Sequence, residues 1–256
     1  MSDRPRPSGA GPRRTLLLTG ASRGIGHATV QTFSAAGWRV ITVSRHPFPE
    51  QCPWEMGPED HIQADLSSPE DTLRAIEEIK LRLEPEQGRL DALVNNAGIS
   101  PKGPDGSRLG AIDTTLDDWK WVFQVNFFAS IMLARGLLEE LKRTRGAVVN
   151  VTSIAGSRVH PFAGAAYATS KAALMALTRE MAHDFGPLGV RVNALSPGEI
   201  DTSILSPGTD KIVQEQIPMR RLGRPAEVAR VVYFLCTEAS AYVNGAEIHV
   251  NGGQHV

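Results

Sequence analysis

Short segments with strand character, most of them apolar, recur seven times along this chain, and segments with helical character separate most of them. They cover residues 16–19, 40–43, 61–64, 90–94, 147–151, 190–195 and 248–250. Strands that alternate with helices predict a parallel sheet with helices on both faces. Because crossovers between parallel strands are right-handed, the segments predict a doubly wound α/β sheet of seven strands.

The helical segments differ in character along the chain. A first helix is predicted to run to Ala36, where Gly37 ends it. A charged amphipathic helix follows over residues 69–84, and two long helices are predicted over residues 116–142 and 164–185. The first long helix is apolar over more than one stripe, whereas a surface helix needs only one apolar face. Two explanations stay open: both helices are buried against the sheet, or both also pack against a partner subunit.

Size and charge favour one globular domain over residues 15–256. The chain has 256 residues, of which 41% are hydrophobic and 21% charged, and its formal net charge is −1. This balance predicts no general attraction to nucleic acid or to an anionic membrane, and no apolar stretch is long enough to span a bilayer. Cys52 and Cys236 have neither disulfide nor metal-ligand spacing, so we expect no metal and a reducing, cytoplasmic compartment.

The first residues differ from the rest of the chain. Residues 1–14 are rich in Pro, Gly, Ser and Arg and lack apolar periodicity. We predict a disordered tail, because this segment lacks the apolar core of a secretory signal and is too short for an amphipathic targeting helix. Residues 47–58 form a second irregular segment, which we interpret as a proline-broken connection.

A glycine-rich turn follows the first predicted strand and leads into the first predicted helix. It contains Gly20, Ser22, Arg23, Gly24, Ile25 and Gly26. Such a turn lets backbone N–H groups approach a phosphate, and the N-terminus of the helix favours the negative charge. The turn predicts a nucleotide-binding site, although turns of this kind also arise for packing alone.

Tyr167 and Lys171 are one helical turn apart, so they project from one face of their predicted helix. Free tyrosine has a pKa of about 10 and is a poor base at neutral pH. We expect the neighbouring ammonium to lower this pKa, because a cation favours the phenolate. A tyrosine with an adjusted pKa can donate a proton to a carbonyl oxygen or take one from an alcohol.

Further polar motifs stand between these two sites or after them. They are Asn95-Asn96-Ala97-Gly98, Asn126, Ser153, and Pro197-Gly198 followed by Thr202. In this order and spacing, the motifs resemble those of the short-chain dehydrogenase/reductase family over residues 15–253. The resemblance implies a Rossmann-type sheet in a single domain, in agreement with the strand pattern.

The resemblance also implies a role for each catalytic residue. The Ser153 hydroxyl would hold the substrate oxygen, and Tyr167 would exchange its proton. Lys171 would polarise Tyr167 and hydrogen-bond the nicotinamide ribose, and Asn126 would hold a water that relays protons to Lys171. The interval from Ser153 to Tyr167 is a residue longer than the commonest family spacing, and the loop at residues 158–162 can absorb the extra residue.

Residues that hold a nicotinamide dinucleotide follow from the same resemblance. Besides the six residues of the glycine-rich turn, they are Ser44, Arg45, Asp65, Leu66, Asn96, Ala97, Gly98, Tyr167, Lys171, Pro197, Gly198, Ile200 and Thr202. Among them, Asp65 is expected to accept a hydrogen bond from the adenine amino group.

Charge at the end of the second strand indicates which cofactor is preferred. An enzyme specific for NAD has an acidic residue there, which bonds the ribose 2′-hydroxyl. Here the strand ends in Val43-Ser44-Arg45-His46, and Arg23 stands in the glycine-rich turn. Two guanidinium groups suit a 2′-phosphate, so we predict a preference for NADP(H), with NAD(H) as the alternative.

The substrate side is less defined by the sequence. Residues 199–224 combine apolar side chains with Pro and Gly, which is typical of a mobile lid and favours a substrate with a hydrophobic part. His160, in the loop before the second long helix, has two interpretations: contact with the substrate or, as we expect, a position that faces solvent.

The predicted function is hydride transfer between NADP(H) and a small-molecule carbonyl or secondary alcohol, most like the 3-oxoacyl-acyl-carrier-protein reductases. A catalytically silent nucleotide sensor or scaffold on the same fold is the main alternative. Enoyl reduction or epimerisation is a third, which the close spacing of Tyr167 and Lys171 disfavours. By resemblance, we also expect a homo-oligomer, a tetramer or a dimer, built on the two long helices and the C-terminal strand.

Overall fold

Seven strands form one sheet in the computed structural model, which describes residues 13–47, 57–202 and 208–256. They are β1 (Thr15–Thr19), β2 (Arg39–Ser44), β3 (His61–Gln63), β4 (Ala92–Asn95), β5 (Ala147–Val151), β6 (Arg191–Pro197) and β7 (Glu247–Val250). Their order across the sheet is β3-β2-β1-β4-β5-β6-β7, and every neighbouring pair is parallel. The predicted α/β sheet is therefore confirmed.

Helices cover this sheet. They are α1 (Gly24–Ala35), α2 (Pro69–Leu83), α3 (Leu116–Phe123), α4 (Ala129–Gly136), α5 (Leu138–Lys142), α6 (Ala165–Phe185), α7 (Thr209–Gln216) and α8 (Pro225–Leu235). The first helix ends as predicted, because Gly37 adopts the left-handed conformation with φ +81°. None of the described helices has the length and apolar content needed to span a bilayer.

Strand β1 shows how the sheet is buried on both faces. Its five residues are buried, and it pairs with β2 on one side and β4 on the other. Leu17 belongs to the core cluster that includes Ile76 of α2, whereas Leu16 and Leu18 belong to the cluster that includes Val30 of α1. Alternate side chains of one strand thus contribute to two cores, which explains its continuous apolar sequence.

The predicted helix over residues 116–142 is not continuous. A five-residue π-helix, Gln124–Phe128, separates α3 from α4, and Leu137 leaves the helical conformation at φ −111° and ψ 15°. Gly136 lies so close to α2 that a β-carbon there would approach Ile76 to 2.8 Å. The apolar face of this segment therefore packs on α2 by a close approach that the hydrophobic pattern alone does not indicate.

Strand order reverses on either side of β1. The chain leaves β1 for β2 and β3, and then returns across the sheet to β4 on the opposite side of β1. Connections on the two sides diverge at this point, so a crevice opens beyond the carboxyl ends of the strands. This crevice is where an open α/β sheet binds its ligands.

Some predictions fall partly outside the described residues. The predicted tail includes residues 1–12, the proline-broken connection includes residues 48–56, and the predicted lid includes residues 203–207. Within the described part of the lid, helix α7 buries Ile212, and Ile217 after it is also buried, whereas Met219 is exposed.

The described end of the predicted tail contacts the rest of the chain. Arg13 donates hydrogen bonds to the carbonyls of Gly37 and Trp38, both at 3.0 Å.

Candidate active site

A cleft of about 900 Å³ lies at the carboxyl ends of the strands. Every residue predicted to hold the cofactor lines it, and so do three of the four predicted catalytic residues, Ser153, Tyr167 and Lys171. The fourth, Asn126, lies behind the wall of the cleft. The structure thus brings together residues that are distant in the sequence.

Close backbone packing shapes the end of the cleft at the glycine-rich turn. The Asn96 side-chain amide donates to the carbonyls of Gly20 at 2.8 Å and Thr19 at 3.1 Å. A β-carbon on Gly26 would lie only 2.0 Å from the Gly20 carbonyl oxygen, so no larger residue fits without backbone movement. Arg23 precedes α1 without capping it by its side chain, which leaves the N-terminal N–H groups of α1 free to bind an anion.

Lys171 is buried beside Tyr167. Its ammonium lies 5.8 Å from the centre of the tyrosine ring and donates to the Val151 carbonyl at 2.7 Å. Burial lowers the pKa of Lys171 to about 8, because a charged ammonium loses its hydration there.

The expectation that Lys171 lowers the pKa of Tyr167 is wrong for the protein alone. Burial raises the pKa of Tyr167, a hydrogen bond from Ser153 opposes this shift, and the negative charge of Glu199 adds to it. The ammonium of Lys171 bonds the Val151 carbonyl, and partial burial of Tyr167 removes part of the hydration that a phenolate would need. Tyr167 is therefore a protonated phenol at neutral pH.

Asn126 connects three parts of the structure from inside the π-helix. Its side-chain oxygen accepts from the Ile99 backbone N–H at 2.9 Å, and its nitrogen donates to the Ile99 carbonyl at 3.1 Å. The nitrogen also donates to the Ser170 hydroxyl at 3.0 Å, which in turn donates to the Tyr167 carbonyl at 2.7 Å. Asn126 thus holds the turn after β4 against α6, and the water relay assigned to it stays a prediction.

A buried polar chain that sequence reasoning missed fixes α6 on the sheet. The Asn95 amide of β4 donates to the Asn150 side chain of β5 at 2.9 Å, and Asn150 donates to the Thr178 hydroxyl at 2.9 Å. All three residues are at most 2% exposed. An asparagine inside an apolar strand is the sequence feature that indicates such a chain, since a buried amide must find hydrogen-bond partners.

His160 also contradicts its prediction. It is 8% exposed, and its Nε2 lies 2.5 Å from Oε1 of Glu199. Both residues line the cleft. Glu199 was missed, although a carboxylate directly after Pro197-Gly198 at a strand end was a usable signal.

The two arginines expected to select the cofactor lie at the same end of the cleft as the glycine-rich turn. Arg23 and Arg45 are exposed, and neither has an ion-pair partner among the residues that the structure describes. Strand β2 ends at Ser44, so its end carries no carboxylate that would repel a phosphate. In the described ranges, no group of three or more His, Cys, Asp or Glu side chains is placed to hold a metal ion.

Known proteins share this architecture and sequence. Residues 20–255 match a family model described as enoyl-(acyl carrier protein) reductase. Protein FixR of Bradyrhizobium diazoefficiens is 58% identical over 247 residues, which cover 96% of this chain and 88% of FixR. The 3-oxoacyl-[acyl-carrier-protein] reductase FabG of Aquifex aeolicus is 35% identical over 254 residues, covering 94% of this chain and 96% of FabG.

A solved structure is similar over nearly the same length. It is an oxidoreductase of the short-chain dehydrogenase/reductase family from Brucella ovis, in complex with a partially ordered NAD. Its sequence is 63% identical, the TM-score is 0.82, and the match covers 93% of this chain and all of that one.

The burial of Lys171 predicts how stability depends on pH. Its pKa falls from 10.5 in the unfolded chain to about 8 in the fold, so between these values only the unfolded chain binds the proton. Folding stability from this group is therefore present above the unfolded pKa and is lost as pH falls through about 8.

Denaturant unfolding of wild type and Lys171→Met from pH 7 to 10.5 measures this effect. We expect wild type to gain stability relative to the variant with rising pH, by roughly 3 kcal/mol in total for a shift of this size. A difference between the two proteins that stays constant with pH would show that Lys171 keeps its ordinary pKa in the fold.

Proposed function

The chain belongs to the short-chain dehydrogenase/reductase family, and we propose that it transfers a hydride between NADP(H) and a carbonyl or secondary-alcohol group. The observation that carries the proposal is the shared cleft. Ser153, Tyr167 and Lys171 lie in the same cleft as the glycine-rich turn and the uncapped start of α1. Proton-transfer groups thus share one cavity with a site for the phosphates of a dinucleotide.

The glycine-rich turn fits a dinucleotide physically. Gly20 has φ +71°, and a β-carbon there would approach the Ala97 backbone to 2.8 Å. The N–H groups at the start of α1 provide hydrogen-bond donors and a positive partial charge for a pyrophosphate. When bound, the nicotinamide supplies or accepts the hydride, and the residues of the chain position the substrate and move the proton.

In this mechanism Tyr167 is the general acid for reduction. Its raised pKa keeps the phenol protonated at neutral pH, ready to donate to a developing alkoxide. The Ser153 hydroxyl, next to the phenol, holds the same oxygen. The reverse reaction needs the phenolate, so oxidation of an alcohol should require higher pH than reduction of a ketone.

Two features support NADP(H) as the cofactor. Arg23 and Arg45 present guanidinium groups at the cleft that have no ion-pair partner in the described part of the chain, and no carboxylate ends β2. A guanidinium forms charge-assisted hydrogen bonds to phosphate. The Brucella ovis relative contains NAD, so NAD(H) is the alternative that an experiment must separate.

Chemistry on a carbonyl is favoured over two other activities. The family model bears the name of an enoyl reductase, whereas the close Tyr167–Lys171 spacing is that of carbonyl reductases by resemblance. A silent sensor or scaffold would not need Ser153, Tyr167 and Lys171 together. Assays of ketones, secondary alcohols and an enoyl thioester with each cofactor distinguish these activities, and turnover of any carbonyl eliminates the silent alternative.

Replacement of Tyr167 by Phe tests the proposed chemistry. The variant lacks the proton donor, so we expect kcat on a reduced ketone to fall by about 10²–10⁴-fold. Binding of the reduced cofactor, followed by its fluorescence, should change little. Near-wild-type turnover by Tyr167→Phe would remove the tyrosine from the mechanism.

The cofactor preference rests on Arg45. Arg45→Ala should weaken NADP(H) binding by about 10- to 100-fold, since a hydrogen bond to a charged group contributes roughly 1.5–3 kcal/mol. Affinity for NAD(H), which has no 2′-phosphate, should stay the same. The measurement is the ratio of the two dissociation constants, with Arg179→Ala of the exposed α6 surface as the matched control. An unchanged ratio would show that Arg45 is only a solvated loop charge.

We also propose a cytoplasmic homo-oligomer, a tetramer or a dimer. Leu116, Trp121 and Phe128 are exposed by 68%, 39% and 47% along the segment from α3 to the π-helix. An apolar surface of this kind favours burial against a second copy. Light scattering at micromolar protein should give a multiple of the chain mass of 27.7 kDa, and a monomer mass would contradict the proposal.

A further inference from the structure

A histidine and a carboxylate meet on the substrate side of the cleft. Glu199 follows Pro197-Gly198 at the end of β6, and His160 lies in the connection between β5 and α6. Their side chains are only 9% and 12% exposed, for His160 and Glu199 respectively, yet both line the cleft. A buried carboxylate is costly unless it is hydrogen-bonded, so its place beside a catalytic group needs a reason.

Hydrogen bonds fix the proton of the imidazole. The Phe162 backbone N–H donates to Nδ1 of His160 at 3.2 Å, so Nδ1 acts as an acceptor. A neutral imidazole then carries its proton on Nε2 and donates it to Oε1 of Glu199. The ring also packs edge-to-face on Phe162, with centroids 5.8 Å apart. The pair is therefore held rigidly, and as a unit it carries one negative charge.

The two oxygens of this carboxylate differ in their hydrogen-bond partners. His160 takes Oε1 of Glu199, and no hydrogen bond reaches Oε2 from the described part of the chain. A carboxylate oxygen is only an acceptor, so a ligand must bring the donor.

A cation lines the same cleft. Lys102 is an exposed residue at the mouth of the cleft, and its ammonium donates to the Phe162 carbonyl. An acceptor with negative charge and a donor with positive charge in one cavity suit a molecule that has polar groups but no net charge.

We propose that the His160–Glu199 pair recognises the substrate by accepting a hydrogen bond from a hydroxyl group close to the reacting carbon. The substrates are then uncharged α-hydroxy ketones and their vicinal diols. This inference rests on the proposed function, because it concerns the same cleft and the same carbonyl chemistry. A simple ketone would leave Oε2 of Glu199 desolvated without a donor, and an anionic keto acid would be repelled by the carboxylate.

Position relative to the reacting atoms supports this role. The groups that act on the Tyr167 phenol are Ser153, which hydrogen-bonds it, and Glu199, whose charge raises its pKa; Lys171 lies beside the ring. Strands β5 and β6 are neighbours, with Val151 paired to Leu195, so Ser153 just after β5 and Glu199 just after β6 emerge at neighbouring positions on the same edge of the sheet. Glu199 therefore borders the part of the cleft that Ser153 and Tyr167 line.

Matched ketones provide the test. The full chain with saturating NADPH is assayed on 3-hydroxybutan-2-one against butan-2-one, 2-hydroxycyclohexanone against cyclohexanone, and 3-oxobutanoate as the anion. We expect wild type to prefer each hydroxy ketone by about tenfold or more in kcat/KM, the size expected for a site built to bond a hydroxyl. Glu199→Gln should lower this ratio several-fold. Glu77→Gln, on the exposed face of α2, is the matched control and should keep it.

A second readout separates recognition from a structural role. Oxidation of butane-2,3-diol by NADP⁺ requires the phenolate, and Glu199→Gln removes a charge that raises the pKa of Tyr167. The pH profile of this oxidation should therefore move to lower pH in Glu199→Gln, which a merely structural change would not cause.

Each outcome decides between the two proposals. Equal rates on hydroxy and simple ketones in wild type, or a ratio or pH profile that Glu199→Gln leaves unmoved, overturns the recognition role while the proposed function stands. If NADPH binds by its fluorescence but no ketone in the panel is reduced, the proposed function fails, and this inference fails with it. The wild-type ratio needs no variant, so it is informative even if Glu199→Gln does not fold.

Discussion

The requirement that a parallel sheet be covered on both faces governs this structure. β1 contributes Leu17 to one core and Leu16 and Leu18 to the other, so helices must lie on both sides. Parallel strands then end at a single edge, and the reversal of strand order beside β1 opens a crevice there. Placement of the site is thus a consequence of how apolar side chains are buried, and the residues at the strand ends supply its chemistry.

Buried polar contacts turn this crevice into a defined site. The chain of Asn95, Asn150 and Thr178 ties two strands to α6, and Lys171 reaches back to the Val151 carbonyl. Each of these groups is costly to bury alone, so together they favour one position of α6 over others. The helix that carries Tyr167 is consequently held by the sheet itself, which is the condition for precise proton transfer.

Burial also sets the electrostatics of the cleft. It raises the pKa of Tyr167 and lowers that of Lys171, because burial penalises the charged form of each group. Glu199 adds a negative charge near the phenol, and His160 holds that charge in place without neutralising it. In the mechanism that we propose, this cleft donates a proton at neutral pH and offers the substrate an acceptor next to the proton donor.

The amino-acid sequence by itself determined the strands and their parallel arrangement, because apolar periodicity and turn chemistry are local properties. The order of its motifs, through resemblance to a family, also indicated the residues that line the cofactor side of the cleft, but neither Glu199 nor the burial of His160. Only the tertiary structure decided the rest. The π-helix around Asn126 depends on packing between helices, and the pKa of Tyr167 depends on burial rather than on its neighbour one turn away. The His160–Glu199 pair joins residues from separate loops. No local sequence pattern predicts this hydrogen bond, since only the folded chain brings the two side chains within bonding distance.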